Sequence, residues 1–365
     1  MRVLLLSCNT GQGHNSAALA IKEELERRGD YCEFHNTLLF VSQLYDKVIC
    51  DGHVLIYRRF PKLFGVGYRF EERHPPTIII NQMKMGLKKF ASFIEENHFD
   101  MVICTHSFSS LLLNEYKRRY NSNIPVAFVS TDYTCHPGAP ESNADMYFTP
   151  HPFLTPEFEA AGVDKEKIYP FGIPVSKKFI DKRDKKETRA SLGLPVNKKM
   201  VLIGCGSMGC GPIAKIAALI SRRLPDSLVV VTCGNNVRLL ERLTRLESKN
   251  ILPLPYTKRM ADYIAASDVY ITKAGGLSTT ECVLSEVPLL YIDAVPGCET
   301  RNIDFMVGND YANAADGLHD VVNKAVGILN NPARAVEGIK KCRSYLSENP
   351  AEAICNQVES FLKQQ

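Results

Sequence analysis

The stretch from 269 to 302 carries the clearest chemical signature in this 365-residue chain. A short β-rich run ends in Gly275-Gly276, and polar residues open a predicted helix: Ser278, Thr279, Thr280 and Glu281. Adjacent glycines let the backbone approach a ligand closely, and a helix start offers free N–H groups to a diphosphate. We expect Glu281 to accept hydrogen bonds from a ribose diol. The alternative is an ordinary strand–turn–helix with a Ser/Thr cap.

A second polar cluster follows the next predicted strand, 289–292. Pro296-Gly297 forms a turn, and Glu299 and Asn302 are predicted on a loop that holds sugar hydroxyls. Open α/β sheets bind ligands at the carboxyl ends of their strands. Two polar clusters at successive strand ends therefore favour a binding site over two unrelated turns.

The amino terminus predicts a strand, 3–7, a glycine turn that contains Gly13, and a helix over 16–28. The turn reads Gly-x-Gly and lacks the third glycine of a dinucleotide fingerprint, which argues against a nicotinamide site. His14 lies at a helix N-terminus, where the macrodipole disfavours the imidazolium. A neutral histidine there could take a proton from a hydroxyl. A capping or merely exposed histidine is the alternative.

Two further buried strands end in polar residues on the same sheet edge as His14. The strand over 99–105 ends at His106, and the strand over 126–130 ends at Thr131-Asp132. Asp132 could orient or charge-balance a histidine, although a lone aspartate after a strand is more often a turn or helix cap.

The quoted motifs carry a family resemblance. K-A-G-G-L-S-T-T-E, followed by P-G-C-E-T-R-N, resembles the donor site of the diacylglycerol glycosyltransferases, which include bacterial processive glucosyltransferases and plant galactolipid synthases. These enzymes are related to the peptidoglycan lipid-intermediate transferase. The resemblance covers the whole chain, with Ala274 where proline is common and Cys298 where glutamine is usual.

The resemblance implies roles for single residues. His14, within G-x-G-H-x-(S/A)-A, matches the family's proposed catalytic base, and His136 matches a histidine three residues after T-D-Y. The backbone near Met260 would seat a uracil. The Gly206-Ser207 turn would face the donor phosphates.

Two glycine turns, at Gly11 and Gly206, each open a repeating β/α series and lie 206 − 11 = 195 residues apart. Length and repetition predict two facing Rossmann-like domains with a cleft between them, the GT-B fold. We predict an acceptor domain over 1–172 and a UDP-sugar domain over 173–345. The final helix, within 346–365, is expected to cross back to the first domain.

Composition limits the possible partners. A formal net charge of +4 gives no reason to expect nucleic acid. The twelve cysteines are scattered without a CxxC pair, which favours reduced cytosolic thiols. No Asp-x-Asp pair follows a strand, so neither a metal nor a cofactor is expected. No run approaches the roughly 18 apolar residues that span a bilayer, which predicts a soluble or peripheral protein.

One segment, 57–89, interleaves aromatic residues with basic ones. Eight cations against Glu71 and Glu72 give 8 − 2 = +6. Such a segment suits an anionic membrane surface. A solvated helix pair that covers the core is the alternative.

Together with these observations, the resemblance implies an inverting transferase that moves glucose or galactose from a UDP-sugar to diacylglycerol or a related lipid acceptor. It would act as a peripheral protein on the inner face of the cell membrane. A UDP-sugar 2-epimerase and a non-catalytic nucleotide-sugar sensor remain as alternatives.

Overall fold

The computed structural model describes residues 1–59, 65–67, 77–204, 206, 212–292 and 296–365. Ser207 and most of the aromatic residues between 57 and 76 lie outside these ranges. The chain forms two compact units. The first comprises Met1–Lys177, Val295–Arg301 and Tyr345–Gln365, and the second comprises Lys178–Ala294 and Asn302–Ser344.

The first unit is built on a six-stranded parallel sheet in the order β2-β1-β3-β4-β5-β6. Its strands are β1 Arg2–Ser7, β2 Tyr31–Asn36, β3 Met101–Cys104, β4 Val126–Val129, β5 Met146–Phe148 and β6 Ile168–Tyr169. Its early helices are α1 Gln12–Arg27, α2 Leu38–Val41, α3 Gln43–Arg59, α4 Thr77–Met83, α5 Leu87–Asn97, α6 Ser107–Tyr120 and α7 Thr155–Ala160.

The second unit repeats this architecture with the strand order β12-β11-β10-β7-β8-β9. Its strands are β7 Met200–Gly204, β8 Leu228–Thr232, β9 Ile251–Leu254, β10 Val269–Thr272, β11 Leu289–Tyr291 and β12 Asn313–Ala314. The helices, beginning after β6, are α8 Lys185–Ser191, α9 Ile213–Arg223, α10 Val237–Thr244, α11 Met260–Ala266, α12 Gly276–Leu284, α13 Cys298–Gly308, α14 Gly317–Asn330 and α15 Ala333–Arg343.

The central strands are fully buried because they are apolar on both faces. β1 reads R-V-L-L-L-S and is covered from Val3 onward, as expected for a parallel strand between helical layers. On α1, Ala18, Ile21 and Leu25 recur at helical spacing and join the sheet core. The last helix, α16 Pro350–Leu362, adds Ile354, Cys355 and Val358 to the same core.

The predicted α/β class with two Rossmann-like sheets is confirmed. Two local predictions need correction. Helix α1 begins at Gln12 rather than at residue 16, so His14 lies in its first turn. Glu299 and Asn302 lie on helix α13, not on a loop. Within the described ranges, no helix is both long enough and apolar enough to cross a membrane.

Candidate active site

The winding direction of the first sheet reverses at β1. Strand β2 lies on one side of β1, and β3 to β6 lie on the other. In an open parallel sheet, such a switch point leaves a crevice at the carboxyl ends of the two strands, and ligands bind there. Thr10, which follows β1, places its Oγ1 2.9 Å from Nε2 of His106, which follows β3. Polar side chains from distant parts of the chain thus meet at this edge.

His14 lies at the same edge and is held by its Nδ1 atom. Nδ1 is 3.0 Å from the carbonyl oxygen of Thr105 and 2.7 Å from Oγ1 of Thr131. Because a carbonyl oxygen only accepts hydrogen bonds, Nδ1 must carry the proton. The lone pair is then on Nε2, which has no hydrogen-bond partner among the described residues. This is the protonation state that a general base needs.

Burial controls the charge of the ring. It lowers the pKa of His14 from 6.5 to about 4, and the hydrogen bond to the Thr105 carbonyl opposes this shift. His14 is therefore neutral at physiological pH. The expectation that the imidazole is uncharged agrees with this, although burial rather than the helix dipole is the main cause.

Two more histidines surround His14. The His106 ring is 4.6 Å from the His14 ring, centroid to centroid, and nearly perpendicular to it. His106 Nδ1 accepts the Phe108 N–H at 3.1 Å, so its Nε2 carries the proton and donates to Thr10. Burial, and then the proximity of His14, lower the pKa of His136 to about 4. His14 and His136 are therefore both uncharged near pH 7.

Asp132 was expected to orient or charge-balance a histidine. It is partly buried beside Thr131, but the hydrogen-bond partners of the His14 ring in the described structure are the Thr105 carbonyl and the Thr131 hydroxyl. The hydroxyl of Thr131, the residue before Asp132, contacts the His14 ring. Gly13, in the first turn of α1, is partly exposed next to His14.

The second sheet has its own switch point between β7 and β10. Gly206 follows β7 in a left-handed conformation, with φ +70°, which glycine adopts without strain. A Cβ atom placed on Gly206 would lie 3.3 Å from Cε of Lys273, which follows β10. The turn after β7 and the Lys273 side chain are therefore neighbours at this edge.

Helix α12 begins at this switch point without a side-chain cap. Gly275 is its N-cap residue, in an extended conformation. The N–H groups of the first turn, those of Gly276, Leu277 and Ser278, have no acceptor within the helix. The Ser278 hydroxyl donates to the Gly275 carbonyl at 3.1 Å and leaves these N–H groups available. Such a helix start suits a diphosphate.

Thr279 and Thr280 are interior residues of α12. Both are fully buried. Thr279 Oγ1 bonds to the Tyr291 hydroxyl at 2.9 Å, and Thr280 donates to the Gly276 carbonyl at 3.1 Å. The helix begins two residues earlier than the sequence suggested, and its buried face includes both threonines. The expectation that their hydroxyls contact a diphosphate is corrected accordingly.

Glu281 has a carboxyl group without a hydrogen-bond partner among the described residues. Burial raises its pKa from 4.5 to about 8. A desolvated and unpaired carboxyl at a strand-end crevice is typical of a binding or catalytic site. A ribose diol would supply the two donors that this group lacks.

Asn302 and Glu299 lie one turn apart on α13, and both are buried. Asn302 Nδ2 donates to the Ala274 carbonyl at 2.8 Å and so supports the loop between β10 and α12. Met260 is the first residue of α11 and is partly buried.

Sequence reasoning did not select Thr131 or Lys273 as site residues. Both follow a buried parallel strand, and that position was the signal that could have identified them. Thr131 was passed over in favour of the adjacent aspartate, and Lys273 in favour of the glycines that follow it.

Two family models match the chain. The model described as monogalactosyldiacylglycerol (MGDG) synthase matches residues 14–175, which begin at His14. The model of the glycosyltransferase family 28 C-terminal domain matches residues 200–294, which include Gly206 and Glu281. Each match thus contains one of the two switch-point clusters.

Known proteins resemble the chain over its full length. The processive diacylglycerol beta-glucosyltransferase of Bacillus subtilis is 26% identical, with 100% of this chain and 95% of that protein covered. MurG of Acinetobacter baumannii has a TM-score of 0.65 at 16% identity, with 98% and 99% covered. The UDP-GlcNAc 2-epimerase of Neisseria meningitidis, bound to UDP-GlcNAc, has a TM-score of 0.63 at 14% identity, with both chains fully covered.

The fold likeness to MurG confirms the predicted GT-B class. The two family models include the positions of the motifs at His14 and at Gly275-Gly276, and the full-length relative spans both. The chain is a glycosyltransferase that resembles the diacylglycerol glycosyltransferases over its full length.

Proposed function

We propose that this protein moves a hexose, glucose or galactose, from a UDP-sugar to diacylglycerol or a related lipid, with inversion at the anomeric carbon. The observation that carries the proposal is His14. It is a neutral imidazole at a switch point, with its proton on Nδ1 and with no partner for the Nε2 lone pair among the described residues.

The reaction needs one base and one stabilised leaving group. Nε2 of His14 takes the proton of the acceptor hydroxyl while that oxygen attacks C1 of the hexose. The bond between C1 and the diphosphate oxygen breaks, and its electron pair leaves with UDP. A single displacement of this kind inverts the configuration at C1.

The second unit supplies the groups that suit the nucleotide. The N–H groups of the first turn of α12 would bind the diphosphate, and the Lys273 ammonium would add a positive charge where negative charge develops. Glu281 would accept hydrogen bonds from the ribose hydroxyls. A UDP-sugar is bound by the epimerase that shares the fold, which supports this choice of donor.

An exposed apolar face on α3 supports action at a membrane surface. Leu44, Val48 and Leu55 are spaced by four and seven residues and are 73%, 59% and 50% exposed. Residues at this spacing lie on one side of a helix. Met85, 74% exposed, lies in the same insertion between β2 and β3, among the exposed cations Lys84, Lys88 and Lys89.

Apolar side chains next to cations suit the interface of an anionic bilayer. Part of the predicted basic segment falls outside the described residues, including the aromatic residues at 60, 64 and 70. We propose that the protein is peripheral on the inner face of the cell membrane, with the α3 face toward the lipid.

The test is UDP release, measured with UDP-glucose and with UDP-galactose, each with and without diacylglycerol in mixed micelles. We expect release that requires the lipid, together with a new glycolipid whose anomeric configuration is opposite to that of the donor. The donor that supports release identifies the hexose.

Two other outcomes would overturn the proposal. Conversion of a UDP-sugar into its 2-epimer without lipid would indicate an epimerase. Tight UDP-sugar binding with neither release nor epimerisation would indicate a sensor.

A further inference from the structure

Two oxygen atoms from the ends of neighbouring strands hold the His14 imidazole. Thr105 directly follows β3, and Thr131 follows β4 by two residues. The strands β3 and β4 pair in parallel register, so their ends lie side by side. The Thr131 side chain is only 9% exposed, and its Oγ1 is closer to His14 Nδ1 than the Thr105 carbonyl is, at 2.7 Å against 3.0 Å.

The Thr105 carbonyl selects one tautomer, and the Thr131 hydroxyl is compatible with it. The Thr105 carbonyl can only accept, so an unprotonated Nδ1 would bring two lone pairs together at 3.0 Å. With the proton on Nδ1, the carbonyl and the Thr131 hydroxyl oxygen both accept it. The opposite tautomer would place the proton on Nε2 and leave no lone pair there for the acceptor hydroxyl.

We propose that Thr131 is a positioning residue of the transfer reaction, and that its hydroxyl, together with the Thr105 carbonyl, holds His14 in the orientation and tautomer that make Nε2 the base. This inference rests on the proposed function, because it assigns His14 its role in proton transfer. Thr131 itself exchanges no proton with the substrate.

The two hydrogen-bond partners of His14, the Thr105 carbonyl and the Thr131 hydroxyl, are both uncharged, and this affects the pKa of the histidine. A carboxylate at Nδ1 would stabilise the imidazolium and raise the pKa of the histidine. Among the described residues, the titratable groups beside the ring are His106, the N-cap residue of α6, and His136, in the loop after β4. His106 Nδ1 accepts a backbone N–H, and burial lowers the pKa of His136 to about 4. Asp132 is next to Thr131 in the chain but is not bonded to the ring. Thr131 therefore orients His14 without stabilising its charged form.

The first experiment compares Thr131→Val with Thr131→Ser. Valine keeps the shape but removes the hydroxyl, and we expect kcat to fall about 10- to 100-fold, the usual result when a catalytic group loses its alignment. UDP affinity and melting temperature should stay close to those of the parent. Serine keeps the oxygen and should restore kcat to within a few-fold.

A matched control is available three residues after Thr131, at Thr134. This threonine is 5% exposed and donates to Glu157 at 2.7 Å, away from His14. Thr134→Val removes a buried threonine hydroxyl from the same loop and should leave kcat within a few-fold of the parent. Equal losses in the Thr131 and Thr134 variants would make the effect structural and overturn the inference.

The second experiment introduces a charge with Thr131→Asp. A carboxylate at this distance stabilises the imidazolium, so the pKa of His14 should rise by about 1–3. The acid limb of the kcat profile should move to higher pH in this variant and stay in place in Thr134→Val. If a folded and active Thr131→Asp variant has the same acid limb as the parent, the side chain at position 131 does not contact the His14 ring.

Histidine-selective ¹⁵N NMR reads the tautomer without reference to activity. In the parent protein at pH 7, His14, assigned by its loss in His14→Gln, should show a proton on Nδ1. In Thr131→Val the Thr105 carbonyl still accepts from Nδ1, so the tautomer should persist while the ring resonances broaden as the orientation of the ring loosens. A parent His14 protonated on Nε2 overturns the inference even if the transferase is active, whereas an inactive parent with the Nδ1–H tautomer refutes only the proposed function.

Discussion

Glu281 provides the sharpest test of the donor site, through the substitution Glu281→Gln. The carboxyl is partly buried and has no hydrogen-bond partner among the described residues, and burial raises its pKa from 4.5 to about 8. The folded protein thus keeps this proton up to higher pH than the unfolded chain does. Stability should therefore fall as pH rises from 4.5 to 8 and level off above that value.

The magnitude follows from the two pKa values. The difference between 8 and 4.5, at about 1.4 kcal/mol per pKa unit, corresponds to at most about 5 kcal/mol of stability lost above pH 8. The carboxyl is partly accessible and the structure can relax around a charge, so we expect roughly half of this. Glutamine has the same shape but cannot ionise, so Glu281→Gln should not lose this stability.

Calorimetric melting of ligand-free protein tests the expectation. At pH 8.5 the variant should melt at least about 4 °C above the parent, and at pH 4, below both pKa values, the two should melt together. A change of 1 kcal/mol in the free energy of unfolding shifts the melting temperature by about 2–4 °C in a unit of this size. The control is Glu286→Gln, at an exposed carboxyl in the same unit. A melting difference for Glu281→Gln that does not change with pH would refute the reasoning.

Nucleotide binding gives the same residue a second readout. Ribose hydroxyls donate to the carboxylate form, so UDP binding at pH 7 should release close to one proton from Glu281. Titration calorimetry in two buffers with different ionisation enthalpies measures this release. A binding enthalpy that is the same in both buffers would place Glu281 outside the nucleotide site.

The remaining predictions concern the base, the diphosphate and the membrane. His14→Ala should lower kcat by about 100-fold or more with UDP affinity within a few-fold, and near-normal turnover would remove His14 from the mechanism. Lys273→Met should weaken UDP binding by about 1.5–3 kcal/mol, the cost of a hydrogen bond to a charged group, and unchanged calorimetric affinity would contradict its place beside the diphosphate. The double variant Leu44→Gln, Val48→Gln should sediment less with phosphatidylglycerol vesicles than the parent does. The control variant Val237→Gln, at an exposed position of the second unit, should sediment like the parent. Equal sedimentation of the parent and both variants would show that the α3 face does not bind the membrane.

The sequence by itself determined the architecture and the approximate location of each cluster. Buried apolar strands followed by glycine turns are local patterns, so the two β/α series and the strand-end positions of His14, Gly206 and Glu281 could be predicted. Apolar periodicity over a few residues is enough to define a strand or a helix, because burial of one face dominates its stability.

The tertiary structure decided which side chains meet. Thr105 and Thr131 are 91 and 117 residues from His14 in the chain, and only the pairing of β1, β3 and β4 brings them to its ring. Tertiary packing also decided the direction in which the hydroxyl groups of Thr279 and Thr280 point. Each residue turns a helix by about 100°, and packing, rather than residue type, determined that their hydroxyls face the interior while the first-turn N–H groups remain available. Local propensity specifies an element, but the direction of a polar side chain depends on the neighbours against which that element packs.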